Sequence, residues 1–548
     1  MKKTTALLSA LCILAAINLY SQEANTGNTN GESAEAASPT PDQLPPSDEG
    51  TLFVITDFEF EIKGRTRPFA LLYNAEIKRG EEIRGEANLE QYISDKTQML
   101  INQRVLKDNA EITYTVGKQQ GDGSYPVTLT IKVEDSWNLI AVPMFKYSTN
   151  TGLELTIRAR DYNFFGTMNP LRINFGYLYD ENENSSFFFE LDSNTPFRAF
   201  GLDWNFQFSN LFSYRPQAGE PFYFGNVTGL SVELPFKTTT FTFGIDESLK
   251  LNEENSDRNK ESAKLGGSYP DFQEGLYMSS KLYGSWKVPL GLSVSRFGEL
   301  TYNTQLSAIF NHELPNWPLH EFRLGPFMSF SHSFGFEKIN WHANHREGFS
   351  AWIGNSYSYD FYRYKANEDP LSTSFSLTGI GHFIVSKFFG ISSRLQYRHW
   401  FYHDPDYYEH AGDNIRGIAD KALAADYMLS LNADFPFRVF MFMPSEWLKN
   451  DKLRVFNIEF HLVPVFDMAL YHYPETDKPP ENVITGGIIP KNLAVGGGVE
   501  LIVFPLFMRN LYIRISFGWN IKELVTARPF KIPSGNNREI SVMMGHFY

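Results

Sequence analysis

From residue 137 onward, apolar and polar positions alternate with a period of two, the pattern of strands whose two faces meet different surroundings. Leu171, Ile173, Phe175, Tyr177 and Tyr179 alternate with Arg172, Asn174 and Gly176. Leu202, Trp204, Phe206 and Phe208 alternate with Asp203, Asn205, Gln207 and Ser209. Leu511, Ile513, Ile515, Phe517 and Trp519 alternate with Tyr512, Arg514, Ser516 and Gly518. Each run has about the length of a tilted strand crossing a bilayer. A soluble sandwich also alternates, but it does not usually sustain the pattern over the 412 residues from 137 to 548 with aromatics on the outer face. The predicted fold is an all-β, antiparallel transmembrane barrel. Short turns such as Asn194-Thr195-Pro196 are expected at one end, and long polar loops over 251–273, 403–425, 471–492 and 522–537 at the other.

Residues 51–136 read differently. Phe53 to Ile62 alternates as a strand. Thr66 is placed to cap a helix with Pro68 in its first turn, followed by Phe69, Leu71, Leu72 and Tyr73, and Lys78-Arg79-Gly80 ends it. Ala87 to Leu106 carries Leu89, Tyr92, Ile93, Met99, Leu100 and Leu106 along one helical stripe. Strands over Ala110–Val116 and Tyr125–Val133 follow, the second with Val127, Leu129, Ile131 and Val133 on one face. The order β-α-α-β-β predicts a small α+β domain, a sheet covered by two helices.

The N-terminus sets the compartment. Lys2 and Lys3 precede an apolar stretch from Ala6 to Leu19, and Ser21 offers a cleavage position, so residues 1–21 read as a secretory signal peptide. Cys12, the only cysteine, lies within it, and Leu11 before it is too large for a lipoprotein processing site. The mature chain then has no thiol for disulfides or metal. Residues 22–50, rich in Glu, Asn, Thr, Ser, Ala and Pro, predict a disordered linker.

Composition narrows the function. A net charge of −14 argues against a nucleic-acid partner, which needs a basic footprint. Beyond the N-terminus no apolar run approaches the ~20 residues of a membrane helix, and 16% aromatic residues suit a barrel's outer face. There is no G-x-S-x-G, Walker A or H-E-x-x-H pattern, no spacing singles out a Ser-His pair, and an enzyme is not expected. His342-Ala343-Asn344-His345 is open to a metal reading, and His403, Asp404, Asp406, Glu409, His410 and Asp413 to a calcium reading. Solvated loop residues are the preferred reading of both, so no metal or cofactor is expected. Gly496 to Gly498 within a strand marks a bend or a close backbone approach.

Asn414-Ile415-Arg416-Gly417-Ile418, in a long loop, resembles the V/I-R-G-F/Y motif of the outer-membrane assembly barrels of the BamA/TamA type (bacterial surface antigen family), a superfamily that also holds the two-partner-secretion transporters. Ile418 replaces the usual aromatic. The following strands place Ser430, Asn432 and Asp434, then Asn457, Glu459, His461 and Asp467, on lumen-facing phases, with Phe456, Ile458, Phe460, Leu462, Phe466 and Met468 outward. The α+β unit resembles a POTRA domain, Asp161-Tyr162-Asn163-Phe164-Phe165-Gly166 resembles the N-x-x-G turn of these barrels, and the terminal Tyr548 resembles their C-terminal insertion signal.

The resemblance implies 16 strands, with 18 as the alternative count, and a POTRA-like domain in the periplasm below an outer-membrane barrel over 137–548. It implies a loop folded into the lumen, with Arg416 and Gly417 latched to Asp434 and Asp467. In a wet lumen that latch is expected near the low end of the ~1.5–3 kcal/mol of a hydrogen bond to a charged group. The implied function is insertion of outer-membrane proteins or polypeptide translocation. Its partners would be outer-membrane lipids, unfolded polypeptide clients and periplasmic accessory proteins. A passive channel or surface receptor on the same scaffold is the alternative.

Overall fold

The computed structural model describes residues 50–544 except 149–151, 180–184, 215, 217–221, 237, 254–272, 295–296, 315–324, 366–368, 402–408, 411–413, 419–422, 426, 473–492 and 527–536. The signal-peptide and linker readings, Tyr548, His403, Asp404, Asp406 and Asp413 lie outside those residues.

The N-terminal unit is a four-stranded sheet under two helices. Strand β1 (Leu52–Lys63) pairs in parallel with β4 (Tyr125–Glu134), β3 (Glu111–Val116) joins β4 antiparallel, and the short β2 (Glu82–Arg84) edges β1. Helix α1 (Pro68–Asn74) and helix α2 (Glu86–Asn102) cover one face, burying Leu71, Leu89, Ile93 and Leu100 on Val127, Leu129 and Ile131. Two local expectations change. The three-residue β2 is too short for alternation to show. Thr66 does not cap α1; its hydroxyl donates to Asp135 Oδ1 at 2.5 Å, and Arg67 occupies the cap position without a side-chain bond.

Beyond it a closed antiparallel barrel contains nineteen strand segments. Two of them, Tyr427–Asp434 and Phe437–Phe442, share one ladder line: Asp434 opposes Val465, and Phe437 opposes Leu462 in the same register. Counted once, they leave eighteen staves, the larger of the two counts. Phe175, Phe243, Leu306 and Leu462 face outward and are exposed. Closure pairs the backbone groups that hydrocarbon would leave unsatisfied.

The predicted turn at Asn194-Thr195-Pro196 is mid-strand, with Pro196 opposite Asn205. The chain turns instead at Phe200-Gly201, both at positive φ (54° and 76°) as a tight two-residue hairpin requires. Three successive strands run over Phe327–His342, His345–Asp360 and Leu371–Ser386. The first two are joined by Ala343-Asn344, a turn with neither glycine nor proline to announce it. Strand Ile458–His472 starts later than its alternation suggests: Phe456 belongs to a short 3-10 helix over Asp451–Phe456, and Asn457 is its cap. Leu511 likewise precedes the strand Ile513–Asn520 and is buried in a turn.

The N-terminal domain lies across the short-turn end of the barrel. Tyr73 donates to Glu233 at 3.0 Å, Lys287 pairs with Glu76 at 3.3 Å, and Lys338 pairs with Asp95 at 3.0 Å. Arg104 stacks over Trp341 with its guanidinium carbon 4.2 Å from the ring and donates to Asn344 Oδ1 at 3.0 Å. Burial, reinforced by Arg509, lowers Arg104 to about 10, so it stays a cation at neutral pH. These anchors fall on three alternate staves, and Arg509, before strand Ile513–Asn520, donates to the Leu106 carbonyl at 3.0 Å, so the domain bridges the mouth rather than hanging from one edge.

Candidate functional site

The tip 414–418 of the loop that follows Phe389–Phe401 lies inside the barrel, with all five residues buried. Arg416 is 2% exposed. Its guanidinium grips Asp467 as a fork, with Nε donating to Oδ2 at 2.8 Å and Nη2 to Oδ1 at 2.7 Å. The Arg416 backbone N–H donates to the same Oδ2 at 2.9 Å, and Asn432 donates to Oδ1 at 2.9 Å. Four donors therefore saturate one carboxylate. Asp434 Oδ1 stands 2.6 Å from Nη2, and Glu500 accepts from Nη1 at 3.2 Å. The planar fork of arginine matches this set in a way that a point-charged ammonium cannot.

Alternation predicts this placement. Along Tyr427–Asp434 the even residues Met428, Ser430, Asn432 and Asp434 are buried and their odd neighbours are not. Along Ile458–His472 the odd residues are buried instead, which brings Asp467 inward. The strands put Asn432 directly opposite Asp467, so the two side chains meet without distortion.

Glycines let the loop backbone lie against the wall. Gly417 has φ +94°, and a Cβ there would sit 2.2 Å from the backbone nitrogen of Trp519. A Cβ on Gly496 would be 2.2 Å from the Arg416 carbonyl oxygen, and one on Gly518 would be 2.5 Å from the Gly417 nitrogen. Only bare backbone fits at all three places. Ile415 and Ile418, 0% and 1% exposed, flank the arginine and pack with Met428, Ala469 and Ala494. Ile418 therefore fills the position of the usual aromatic without leaving the tip exposed.

Four participants carry no cue in the loop motif. Glu500 also accepts from Arg514 at 3.1 Å, Asn432 accepts from Arg394 at 3.0 Å, and Gly417 N–H donates to Glu539 at 3.3 Å. Strand phase places Glu500 and Arg514 on the inner face, but only the fold tells which charges meet. Asp434, Asp467, Glu500, Arg514 and Glu539 lie on five consecutive staves, the last five of the barrel. One arginine thus ties the loop to a wall that ends at the closing strand.

Among the described residues that closure is short. Strand Arg538–Met544 pairs with Leu139–Ser148 at two positions among the described residues, Ser541 with Ser148 and Val542 with Tyr147. On its other side the same strand pairs at seven positions with Ile513–Asn520. Leu139–Ser148 pairs along its full ten residues with Gly152–Asp161.

A second polar cluster joins domain and barrel. Asn163, fully buried in the N-x-x-G turn, donates to Thr66 Oγ1 at 2.8 Å and to Asp135 Oδ2 at 3.0 Å, and accepts from the Met168 N–H at 2.9 Å. Gly166 (φ +74°) passes Arg65 so closely that a Cβ would lie 2.2 Å from its carbonyl oxygen. Met168 itself completes the N-terminal domain's core.

The histidine pair does not act as a unit. His342 is on the rim, 3.3 Å from Glu347, while His345 is buried against the His461 ring at 4.8 Å. Among the described residues no three His, Cys, Asp or Glu side chains converge as a metal site.

Among the described residues, the fold and site define an eighteen-stave antiparallel barrel with a small α+β domain across one mouth and a charged loop latch in its lumen. Among solved structures, the chain is similar to CdiB from Escherichia coli, with 12% identity and a TM-score of 0.48, covering 89% of this chain and 76% of that one. It is similar to CdiB from Acinetobacter baumannii, with 11% identity and a TM-score of 0.44, covering 89% and 73%. It is also similar to BamA from Haemophilus ducreyi lacking POTRA domains 1–3, with 12% identity and a TM-score of 0.36, covering 89% and 84%. No protein-family model matches the sequence, and no curated protein matches it.

Proposed function

We propose that this protein is an assembly barrel of the BamA/TamA type in the outer membrane of a diderm bacterium. Its short-turn end and POTRA-like domain face the periplasm, and it assists insertion of outer-membrane proteins or passage of a polypeptide. It performs no covalent chemistry and needs no cofactor. The observation that carries this reading is that, among the described residues, the seam pairs at two positions beside a wall held by Arg416. A strand edge with unused N–H and C=O groups is a template for an incoming strand. Among the described residues, positions 145 and 146 present such an edge, since Met544 and Met543, set opposite them by the register, make no ladder pair there. The latch fixes the wall on one side of the seam, so opening is concentrated at the seam.

The test is a reversible lock. Ser148 and Ser541 oppose each other in the ladder, within the span a disulfide bridges. Ser148→Cys with Ser541→Cys, in a Cys12→Ser background, should stop insertion of an unfolded barrel client into proteoliposomes when oxidised, and reduction should restore it. Undiminished insertion by the oxidised protein would contradict the reading. Ion conductance without insertion in either redox state would favour the passive channel.

A further inference from the structure

The segment between Phe437–Phe442 and Ile458–His472, at the short-turn end, is not a plain hairpin. It folds into a helical turn over Pro444–Trp447 and the 3-10 helix over Asp451–Phe456. A buried polar clamp closes it on itself: Asn457 Nδ2 donates to Ser445 Oγ at 2.7 Å, and Ser445 N–H donates to Asn457 Oδ1 at 3.3 Å. Asn450 accepts from the Lys452 N–H at 3.1 Å and starts the second turn.

This rigid segment points apolar groups outward. Trp447 is 57% exposed, Leu448 69% and Phe456 56%. Trp447 meets Phe442 edge-on at 5.2 Å, which makes the patch continuous with the barrel's outer apolar face. The neighbouring turn adds exposed Phe388, with the Arg438 guanidinium 4.7 Å and the Lys387 ammonium 5.2 Å from its ring centroid. Around the apolar tip stand Lys449, Lys452 and Arg454, with Glu446 and Asp451 as the acids of the segment. Asp451 is taken up by Arg454 at 3.1 Å. With Lys387 and Arg438, five cations stand beside the segment's two carboxylates and the buried Glu459, in a chain whose net charge is −14.

Apolar tips ringed by cations and rooted at the edge of a membrane belt match the interface of a bilayer with anionic headgroups. We infer that segment 443–456 is an interfacial foot, which buries Trp447, Leu448 and Phe456 in the leaflet at the short-turn end and binds anionic phospholipid headgroups through Lys449 and Lys452. Continuity with the lipid-facing wall favours this over a soluble protein partner, because Phe442 and Phe440 lead directly from the belt to Trp447. The inference rests on the barrel spanning a membrane and is independent of whether it inserts clients.

The full chain with Cys12→Ser and Leu448→Cys, carrying an environment-sensitive fluorophore, tests it in vesicles. Gln119→Cys, in a loop of the N-terminal domain, serves as the water-exposed reference. Heat-modifiable gel mobility establishes that each variant has formed its barrel. The expected result is blue-shifted emission at 448, quenched by lipids spin-labelled near the headgroup and stronger in vesicles containing phosphatidylglycerol than in phosphatidylethanolamine alone. Lys449→Gln with Lys452→Gln should remove the phosphatidylglycerol preference. Emission at 448 as water-like and unquenched as at 119 would overturn the foot and point to a soluble partner. Quenching indifferent to lipid charge and to the lysine substitutions would overturn the headgroup assignment.

Discussion

Two polar clusters fasten non-strand segments to this barrel, and they differ in how dry they are. In the lumen the side chains of Arg416, Asp467 and Glu500 are 2%, 0% and 1% exposed. At the rim the Arg65–Asp161 pair, equally bidentate at 3.1 and 2.9 Å, is 56% and 15% exposed. Similar geometry therefore has different consequences. Water shields the rim pair, and such pairs contribute about 0–1 kcal/mol. The lumen set was expected in water near the low end of ~1.5–3 kcal/mol. It is enclosed instead by the loop that it anchors, and removing one partner leaves buried charges uncompensated, a cost of ~3–5 kcal/mol. At the rim the high stake falls on Asn163, a neutral but wholly buried side chain.

The largest effect should follow Asp467→Ala, which takes the acceptor from three Arg416 donors and from Asn432. Loop docking should weaken by ~3–5 kcal/mol. Trypsin, which cannot reach the buried Arg416 in the parent, should cleave after it in a barrel that still shows heat-modifiable mobility. Gly417→Ala should act by a different route, since φ +94° and a 2.2 Å approach to Trp519 oppose any Cβ. Backbone strain of that kind costs ~1–3 kcal/mol, so the same trypsin site should open partially.

The contrast sharpens at the rim. Asn163→Ala strands the Met168 N–H and withdraws a donor from Asp135, at a cost of ~1–3 kcal/mol. Calorimetry should then show the N-terminal domain melting earlier, while Arg65→Ala shifts it by less than ~1 kcal/mol. If Arg65→Ala proves the more damaging, burial is not what separates the clusters.

The smallest effect concerns Glu76. Burial would raise its carboxyl, but Lys287 and Lys96 outweigh that and hold it below its ordinary value. A carboxyl depressed in the folded state stabilises above its unfolded value and loses that contribution as pH falls through the folded one. Glu76 and Lys287 are both more than half exposed, so the loss on acidification should be slight and suppressed by salt. Glu76→Gln should flatten that part of the stability–pH curve.

Strand phase made half of the latch legible. Arg416, Gly417, Asp434 and Asp467 come from a motif plus alternation, because a period of two assigns every strand residue to a face. Glu500 and Arg514 obey the same phase, but phase does not say which charges converge across staves. Gly496 reads as a close-approach position without revealing what approaches, and Gly518 carries no such cue. Register between distant strands decides both, and no local pattern encodes it. The same holds for Asn163: its turn was recognisable, yet its bonds to Thr66 and Asp135 span 97 and 28 residues. Where local chemistry misled, the cause was specific. Pro196 suggested a turn inside a continuous strand, with Pro196 opposite Asn205.

The central claim is that Arg416 holds the loop tip inside the lumen. Amide hydrogen exchange over residues 414–418, in the full chain reconstituted in vesicles, tests it most directly. The account predicts slow exchange in the parent and rapid exchange in Arg416→Ala with strand protection unchanged. Arg416→Lys should fall between them, because a single ammonium cannot replace the fork. Rapid exchange at 414–418 in the parent, or equally slow exchange in Arg416→Ala, would contradict it.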